Sequence, residues 1–364
     1  MIRAPRQDGK KCQLTTVCVG YAASVAADIL SAGDYAIAHG DSVILIHGTR
    51  DGKDEDEDLT VESLHQKVES LQQENEFFAL RLANRMFRRF ATQALLLEAF
   101  KTRPPQPVIA VAANPMEILG TIRKKVATEH EKLIQAAFEQ MDRTKKLFDY
   151  IESKIQLDVL TDPIVNDSAI LKHLVDFEAS VLQERKAKGE QVAGFTKETV
   201  SLIQDDFLRL REFLGGSYNK QALELCYLRG HYFLKKEELE EYGKIQRSSI
   251  EERHKFLEEK AAPQVFPLWY LVVSLCRLLQ QGEHTFTAHD AWWFGLVDEV
   301  LGSDLPSVRI WKEERLKERR LVMEERQRQQ KQKTVEAAMA SSTNEPAPPL
   351  AQLPISSEPT AQKP

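Results

Sequence analysis

Residues 14–32 read Leu-Thr-Thr-Val-Cys-Val-Gly-Tyr-Ala-Ala-Ser-Val-Ala-Ala-Asp-Ile-Leu-Ser-Ala, a β-branched apolar run followed by a run of small apolar residues. The first run, Leu14–Val19, predicts a buried strand that is broken at Gly20. The second run, Ala22–Ala32, is compatible with a helix, and Gly33 is expected to close it as a C′ glycine. Two more short strands are predicted, at 35–38 and 42–47. This order of elements predicts an α/β layer.

Most of the remaining chain is predicted to be helical. The longest helix, at 59–101, carries a heptad seam in which steps of four and three alternate and one position is polar: Leu64, Val68, Leu71, Asn75, Phe78 and Leu82. This seam suits either self-association or burial within the chain. Further helices are expected at 115–156, 168–188 and 197–214. A final strand is expected at 296–301, after a short stretch, 285–295, that resembles 232–243.

Composition excludes several classes of function. The chain has 364 residues and a net charge of −6, which argues against a mainly electrostatic nucleic-acid binder. No apolar stretch is expected to span a bilayer, and no secretory signal is expected at the N-terminus. The four cysteines form no metal-binding spacing, so a reducing, cytoplasmic compartment is predicted. No metal or nucleotide motif occurs, and no cofactor is expected.

Ser24 and His47 are the candidate reactive pair. Ser24 follows the strand at the point where the helix begins, so the backbone N–H groups of the first helical turn, that of Val25 above all, are expected to stabilise an oxyanion. His47 ends the strand 42–47, and strand ends of one sheet lie along one edge, so the two side chains can meet. A serine at a helix start also commonly serves as an N-cap, which is the alternative interpretation of Ser24.

The segments around this pair resemble the proteolytic subunit of the Clp protease. That family carries Gly-Met-Ala-Ala-Ser at its nucleophile, then an apolar helix ending Ala-Ala-Gly and a strand ending Met-Ile-His at its base. The corresponding segments here, 20–33 and 42–47, contain Gly-Tyr-Ala-Ala-Ser and Leu-Ile-His. Residues 286–300, with Phe-Thr-Ala-His-Asp-Ala and Gly-Leu-Val-Asp-Glu-Val, resemble the segment that closes the family's fold. The likeness covers about 14–100 and 205–302.

The resemblance implies a serine-type endopeptidase of the Clp/crotonase fold that cleaves unfolded polypeptides through an acyl-enzyme. Ser24 would be the nucleophile, His47 the general base and the Val25 N–H an oxyanion donor. The helix at 59–101 would correspond to the handle through which such subunits meet. The implied partners are further copies of the chain or other Clp-like subunits, a separate AAA+ ATPase unfoldase and polypeptide substrates, with no membrane and no nucleic acid.

The third member of the triad departs from the family's pattern. The family has an Asp just before its closing helix, and alignment on Gly295 puts Glu283 at that position. Alignment on the earlier stretch puts His231 there, which supplies no negative charge. We favour Glu283 over His231, and over Asp290 and Asp298, whose positions in the motif differ. An exposed turn residue is the alternative interpretation of Glu283.

Two further departures affect fold and activity. Few residues precede Gly20, whereas the family has several strands and a Gly-Gly loop there, and residues 102–204 form a mostly helical insertion. The predicted fold is therefore α/β, a partial Clp/crotonase-type core with a long handle helix. The predicted segments are the nucleophile and base segment at 1–58, the handle at 59–101, the insertion at 102–204, the closing part at 205–310, a charged helix at 311–340 and a disordered tail at 341–364. The alternatives to a peptidase are a catalytically inactive Clp-fold subunit with a structural or adaptor role and, less favoured, a crotonase-type acyl-CoA enzyme.

Overall fold

The computed structural model describes residues 13–50, 60–101, 115–154, 167–214, 217–246 and 248–307, and separate residues between 309 and 332. The chain divides into two units, 1–308 and 309–364. The protein is mixed α/β and mostly helical, with two small sheets. In the second unit the described residues from Arg320 to Gln332 are helical and exposed, as the charged composition predicts. The predicted tail at 341–364 lies outside the described residues.

The described strands form two three-stranded sheets. They are β1 (Thr15–Cys18), β2 (Tyr21–Ala23), β3 (Tyr35–His39), β4 (Val43–His47), β5 (Glu283–Thr287) and β6 (Glu299–Leu301). The order is β1-β3-β6 in one sheet and β2-β4-β5 in the other. All neighbours are parallel except β4 and β5, which are antiparallel.

Consecutive strands near the N-terminus enter different sheets. β1 and β2 are followed by the helix α1 (Val25–Ala32), and β3 and β4 are followed by the helix α2 (Val61–Lys101). The described part of the chain thus begins with two successive strand–strand–helix units. The prediction of one strand followed directly by a helix at Ala22 is wrong here, because Tyr21–Ala23 pairs with β4 as a strand of its own. This pairing outweighs the helix propensity of the small residues.

Gly33 ends α1 in a way that the sequence does not predict. Its φ of −57° and ψ of 146° are open to any residue, so the expected left-handed C′ conformation is wrong. Glycine is required for space instead, because a Cβ at this position would lie 2.3 Å from Thr16 Oγ1. The Thr16 hydroxyl donates to the carbonyl of Leu30, which brings β1 against the end of α1.

Helices are present at the predicted positions 168–188 and 197–214, and the structure adds helices after residue 216 that the sequence analysis does not include. The remaining helices are α3 (Pro115–Lys125), α4 (Thr128–Lys154), α5 (Asp167–Ala187), α6 (Lys197–Leu214), α7 (Ser217–Arg229), a 3₁₀ turn (Gly230–Phe233), α8 (Lys236–Ile245), α9 (Ile250–Lys260), α10 (Ala262–Leu279) and α11 (Ala288–Trp293). The helix predicted at 115–156 is interrupted between α3 and α4, and its last two residues lie outside the described residues. The strand predicted at 296–301 is confined to Glu299–Leu301.

The main core lies between the sheets, α2 and α10. Trp269 and Phe87 are fully buried, and their rings meet edge to face with centroids 6.2 Å apart. Ile122 of α3 and Ala137 of α4 are buried in the same core, although the sequence assigns both to an insertion. Residues 102–204 therefore contribute in part to the core that supports the sheets.

A second, smaller core joins the helices α4, α5 and α6. Its buried residues are Leu147, Ile151, Ile170, Leu174, Phe177, Ile203 and Leu210. Beside it, Arg143 bridges two buried carboxylates, with its Nη2 2.7 Å from Glu178 Oε2 and its Nε 2.9 Å from Asp206 Oδ2. This pairing satisfies charges that would otherwise be costly to bury.

By length and composition, the helix α10 meets the requirements for crossing a membrane. Its Trp269, Val273 and Cys276 are fully buried against the rest of the protein. The high mean hydropathy of this helix is therefore explained by its place in the core.

Candidate active site

Ser24 occupies a sharp turn between β2 and α1. Its φ of 56° and ψ of −125° make it the one non-glycine residue with positive φ in the described part of the chain. A side chain in this conformation costs of order 1–3 kcal/mol, and such strain clusters at functional sites. The nucleophile of α/β-hydrolases is presented on a similarly strained strand-to-helix turn. The turn is held in place by the Ser24 N–H, which donates to the Leu45 carbonyl of β4 at 3.0 Å.

The Ser24 hydroxyl is not used as a helix cap. Ser24 stands at the N-cap of α1, yet its side chain makes no capping hydrogen bond, and it contacts no other hydrogen-bonding partner among the described residues. The side chain is half-buried. The cap interpretation of this serine therefore does not account for its presence at this strained position.

His47 lies on the same sheet edge as Ser24. β2 and β4 are parallel, and Ala23 pairs with Leu45. Ser24, which follows β2, therefore lies beside the last residues of β4. The His47 Nδ1 lies 2.6 Å from the carbonyl oxygen of Gly48. A carbonyl can only accept, so Nδ1 carries the proton of the neutral ring and Nε2 carries the lone pair. Nε2 has no hydrogen-bond partner among the described residues.

Glu283 is the direct cross-strand neighbour of His47. It begins β5 and stands opposite His47 in the antiparallel pair, so it is a strand residue and not a turn residue. Its carboxylate is paired with Arg50, however, and both side chains are more than half exposed. The backbone therefore brings Glu283 to His47, while the imidazole Nδ1 is oriented by the Gly48 carbonyl.

The other acid and base candidates have structural contacts of their own. Asp290 accepts from the Thr287 hydroxyl at 2.8 Å and caps α11. Asp298 is buried, pairs with Arg89 at 2.9 Å and accepts the Ala36 N–H at 2.7 Å. His231 lies in the 3₁₀ turn, where burial lowers its pKa.

Val25 begins α1 directly after Ser24. Its N–H has no acceptor among the described residues, as expected for the first turn of a helix. Its side chain is 66% exposed, so the end of the helix is open to a ligand. The positive end of the α1 dipole lies at the same point.

Asp28 is a neighbour of this pair that sequence reasoning missed. It lies one helical turn after Ser24, and it is half-buried. Burial raises the pKa of its carboxyl group, while the charges of Arg85, His47 and Arg81 act in the opposite direction. The i, i+4 spacing from Ser24 is the signal in the sequence that could have indicated it.

We expect Asp28→Asn to increase the free energy of unfolding at neutral pH. The pKa of Asp28 is raised in the folded state, so the folded state binds more protons than the unfolded state between the ordinary pKa of 3.8 and the raised one. Stability is therefore lost as pH rises through that window, and the asparagine variant avoids the loss.

Urea unfolding at pH 7 and pH 3 measures the free energy of unfolding of both proteins. The asparagine variant should be more stable than the unaltered protein at pH 7 and equally stable at pH 3. Asp41→Asn removes the same charge from a side chain that is 99% exposed and is the control; equal gains for both variants would contradict the assignment.

Ser24→Gly is expected to be more stable than Ser24→Ala by about 1 kcal/mol. Glycine adopts the positive φ without strain, whereas alanine retains the strain of the serine. The two variants both lack the hydroxyl, so urea unfolding compares the backbone alone. An alanine variant as stable as the glycine variant would mean that this turn relaxes in solution.

Other chemistry has little support at this site. In the described ranges, no group of three or more His, Cys, Asp or Glu side chains is arranged to hold a metal ion. The free thiols of Cys18, Cys226 and Cys276 are buried. Burial raises the pKa of Cys226 to about 12, which makes it a poor nucleophile.

Comparison with known proteins assigns no family to this chain. No protein-family model, curated protein or solved structure gives a significant match to this chain.

Proposed function

We propose that this protein is a serine hydrolase of the Clp type that cleaves unfolded polypeptides through an acyl-enzyme. The observation that carries the proposal is the positive φ of Ser24 at a strand–helix junction, with its hydroxyl free of any cap bond. No structural role in the described residues explains why a serine is kept in a conformation that glycine would adopt without cost.

Three groups carry the proposed chemistry. Ser24 Oγ attacks the substrate carbonyl while His47 Nε2 takes its proton, and the Val25 N–H stabilises the oxyanion. Collapse of this intermediate breaks the amide bond: the amine leaves with the proton from His47, and the acyl group remains on Ser24 as an ester. A water molecule then repeats the sequence, returning free Ser24 and a carboxylic acid.

The order of the elements supports the Clp-type proposal. Ser24 stands before α1, and His47 ends the next strand of the same sheet. This is the order of nucleophile, helix and base that the Clp resemblance implies. An AAA+ ATPase as partner and the cytoplasm as compartment are part of the proposal through the Clp resemblance, and the free thiols suit a reducing compartment.

A catalytically inactive Clp-fold subunit is the second candidate. It is favoured by the openness of the sheet edges: β1 and β2 are the outer strands of their sheets, and no described strand pairs with their outer sides. Three apolar or aromatic residues beside the site are exposed: Val19 by 77%, Tyr21 by 63% and Val25 by 66%. Apolar residues at an open edge are typical of a surface that another chain covers.

Hydrolysis of a fluorescent unstructured polypeptide, which needs no unfoldase, separates the two candidates. We expect the protein to cleave it, and Ser24→Ala to abolish cleavage. Ser153→Ala, which removes an exposed hydroxyl from α4, should cleave at the original rate. A folded protein that cleaves nothing would favour the inactive subunit, and cleavage that survives in Ser24→Ala would contradict the proposal.

The exposed half of the α2 seam supports association with further subunits. Leu82 is buried within the chain, whereas Leu64 and Val68 are 44% and 49% exposed. The proposal therefore assigns burial within the chain to one half of this helix and association to the other. Its C-terminal half packs within the chain, and its N-terminal half presents apolar residues to solvent.

Replacing Leu64 and Val68 together with Glu is expected to dissociate the assembly. Burying an unpaired charge in the seam costs about 3 kcal/mol, which weakens association about a hundredfold. Sedimentation velocity should show smaller species with the melting temperature unchanged, since both side chains are exposed within the chain. Gln66→Glu with Gln73→Glu adds equal charge at the heptad position opposite the seam and should leave assembly intact. Equal sedimentation of both double variants would contradict the role of the seam.

A further inference from the structure

One peptide group orients the ring of His47. The carbonyl that lies 2.6 Å from His47 Nδ1 belongs to Gly48, and the N–H of the same peptide group belongs to Thr49. Peptide groups are planar, and in the described residues none is cis. The carbonyl and the N–H therefore point in opposite directions, and a group that holds the N–H also sets the direction of the carbonyl.

Asn75 holds that N–H. Its Oδ1 accepts a hydrogen bond from the Thr49 N–H at 2.7 Å. This bond joins α2 to the turn that follows β4. A second element confines the same turn, because a Cβ on Gly48 would lie 2.2 Å from the carbonyl oxygen of Gln280, at the end of α10. The peptide group between Gly48 and Thr49 is thus fixed by a hydrogen bond on one side and by close backbone packing on the other.

The helix α2, which carries Asn75, is anchored to α10 directly beside this residue. Arg277 of α10 donates from Nε to Glu76 Oε2 at 2.7 Å, directly beside Asn75. Arg277 is 10% exposed and Glu76 22% exposed, so this pair is largely withdrawn from solvent. A side chain on so fixed a backbone is suited to positioning another group within the narrow limits that catalysis needs.

We propose that Asn75 is a positioning residue for His47. Through the peptide group of Gly48 and Thr49 it fixes the His47 ring as the Nδ1–H tautomer, with the Nε2 lone pair available to Ser24. The inference rests on the proposed serine-hydrolase function for its catalytic meaning. In sequence terms, Asn75 is the polar position of the heptad seam, and its bond to Thr49 explains the polar residue without any role in helix pairing.

The tautomer of His47 can be measured directly by NMR of protein that contains ¹⁵N-labelled histidine. The unaltered protein should show the Nδ1–H form for His47. Asn75→Leu, which keeps the size and removes the acceptor, should shift the ring toward the Nε2–H form and slow fluorophosphonate labelling of Ser24 by about 10–100-fold, as loss of an orienting partner does elsewhere. Asn75→Asp keeps an acceptor oxygen and should retain the Nδ1–H form. Asn84→Leu, on an exposed position of the same helix, is the matched control.

The result that overturns the proposal is a folded Asn75→Leu protein in which His47 keeps the Nδ1–H form. Asn75→Ala, which suits a helix and adds no bulk, gives the same comparison if the leucine variant does not fold. The tautomer shift decides the role of Asn75 whether or not the protein is a hydrolase. Absence of Ser24 labelling in the unaltered protein would count against the proposed function alone.

Discussion

His47→Ala should slow the reaction of Ser24 with a fluorophosphonate probe on the order of 10³-fold. The serine hydroxyl is a weak nucleophile until a base accepts its proton, and general-base catalysis contributes about 10²–10⁴-fold. His47 ends β4, next to the strand that leads into Ser24, and its Nε2 has no hydrogen-bond partner among the described residues. The rate of labelling, followed by intact mass against time, measures the loss.

His39→Ala is the matched control for this experiment. His39 also ends a strand, β3, but that strand belongs to the other sheet, and the side chain is exposed. Labelling of Ser24 should proceed at the original rate in this variant. Equal rates for His47→Ala and the unaltered protein would remove His47 from the site.

Arg89→Met is expected to lower the free energy of unfolding by about 3–5 kcal/mol, the cost of leaving a buried carboxylate without its partner. The Arg89 side chain is 1% exposed, and its Nε lies 2.9 Å from Oδ2 of Asp298, whose side chain is 9% exposed. Arg89 also donates to the carbonyls of Ser31 and Gly33, at the end of α1. It therefore joins α2, α1 and the segment before β6. Urea unfolding measures the loss.

Arg81→Met, on the exposed side of α2, is the control for Arg89→Met. Its guanidinium lies over the Phe77 ring at 4.9 Å, a contact whose loss should cost no more than about 1 kcal/mol. A similar loss of stability in the two variants would mean that the ion pair with Asp298 does not hold these elements together.

The placement of Ser24 and His47 at one sheet edge could be predicted from sequence, whereas the backbone conformation of Ser24 could not. The order of strand, serine, helix and strand-ending histidine follows from local patterns, and it puts Ser24 and His47 at one sheet edge. The strand β2 has only three residues, Tyr21–Ala23, and it exists because it pairs with β4. Local propensity does not report such pairing, so the strained turn at Ser24 was not predicted.

The residues around His47 show the same limit. Matching to the closing segment indicated Glu283, and this residue does stand opposite His47 in the sheet. Its pairing with Arg50 depends on the path of the turn after β4, which no sequence pattern specifies. The sequence pattern marks Asn75 only as a polar position in a seam, because its contact with Thr49 joins two elements distant in sequence.

Mapping the adduct of a fluorophosphonate by peptide mass spectrometry tests the central claim most directly. The protein is treated in its folded state, digested, and every modified residue is assigned. The strained, uncapped Ser24 should carry the phosphonyl group, and prior unfolding in urea should abolish the modification. A folded protein whose Ser24 stays unmodified would contradict the account of this site as the active site of a serine hydrolase.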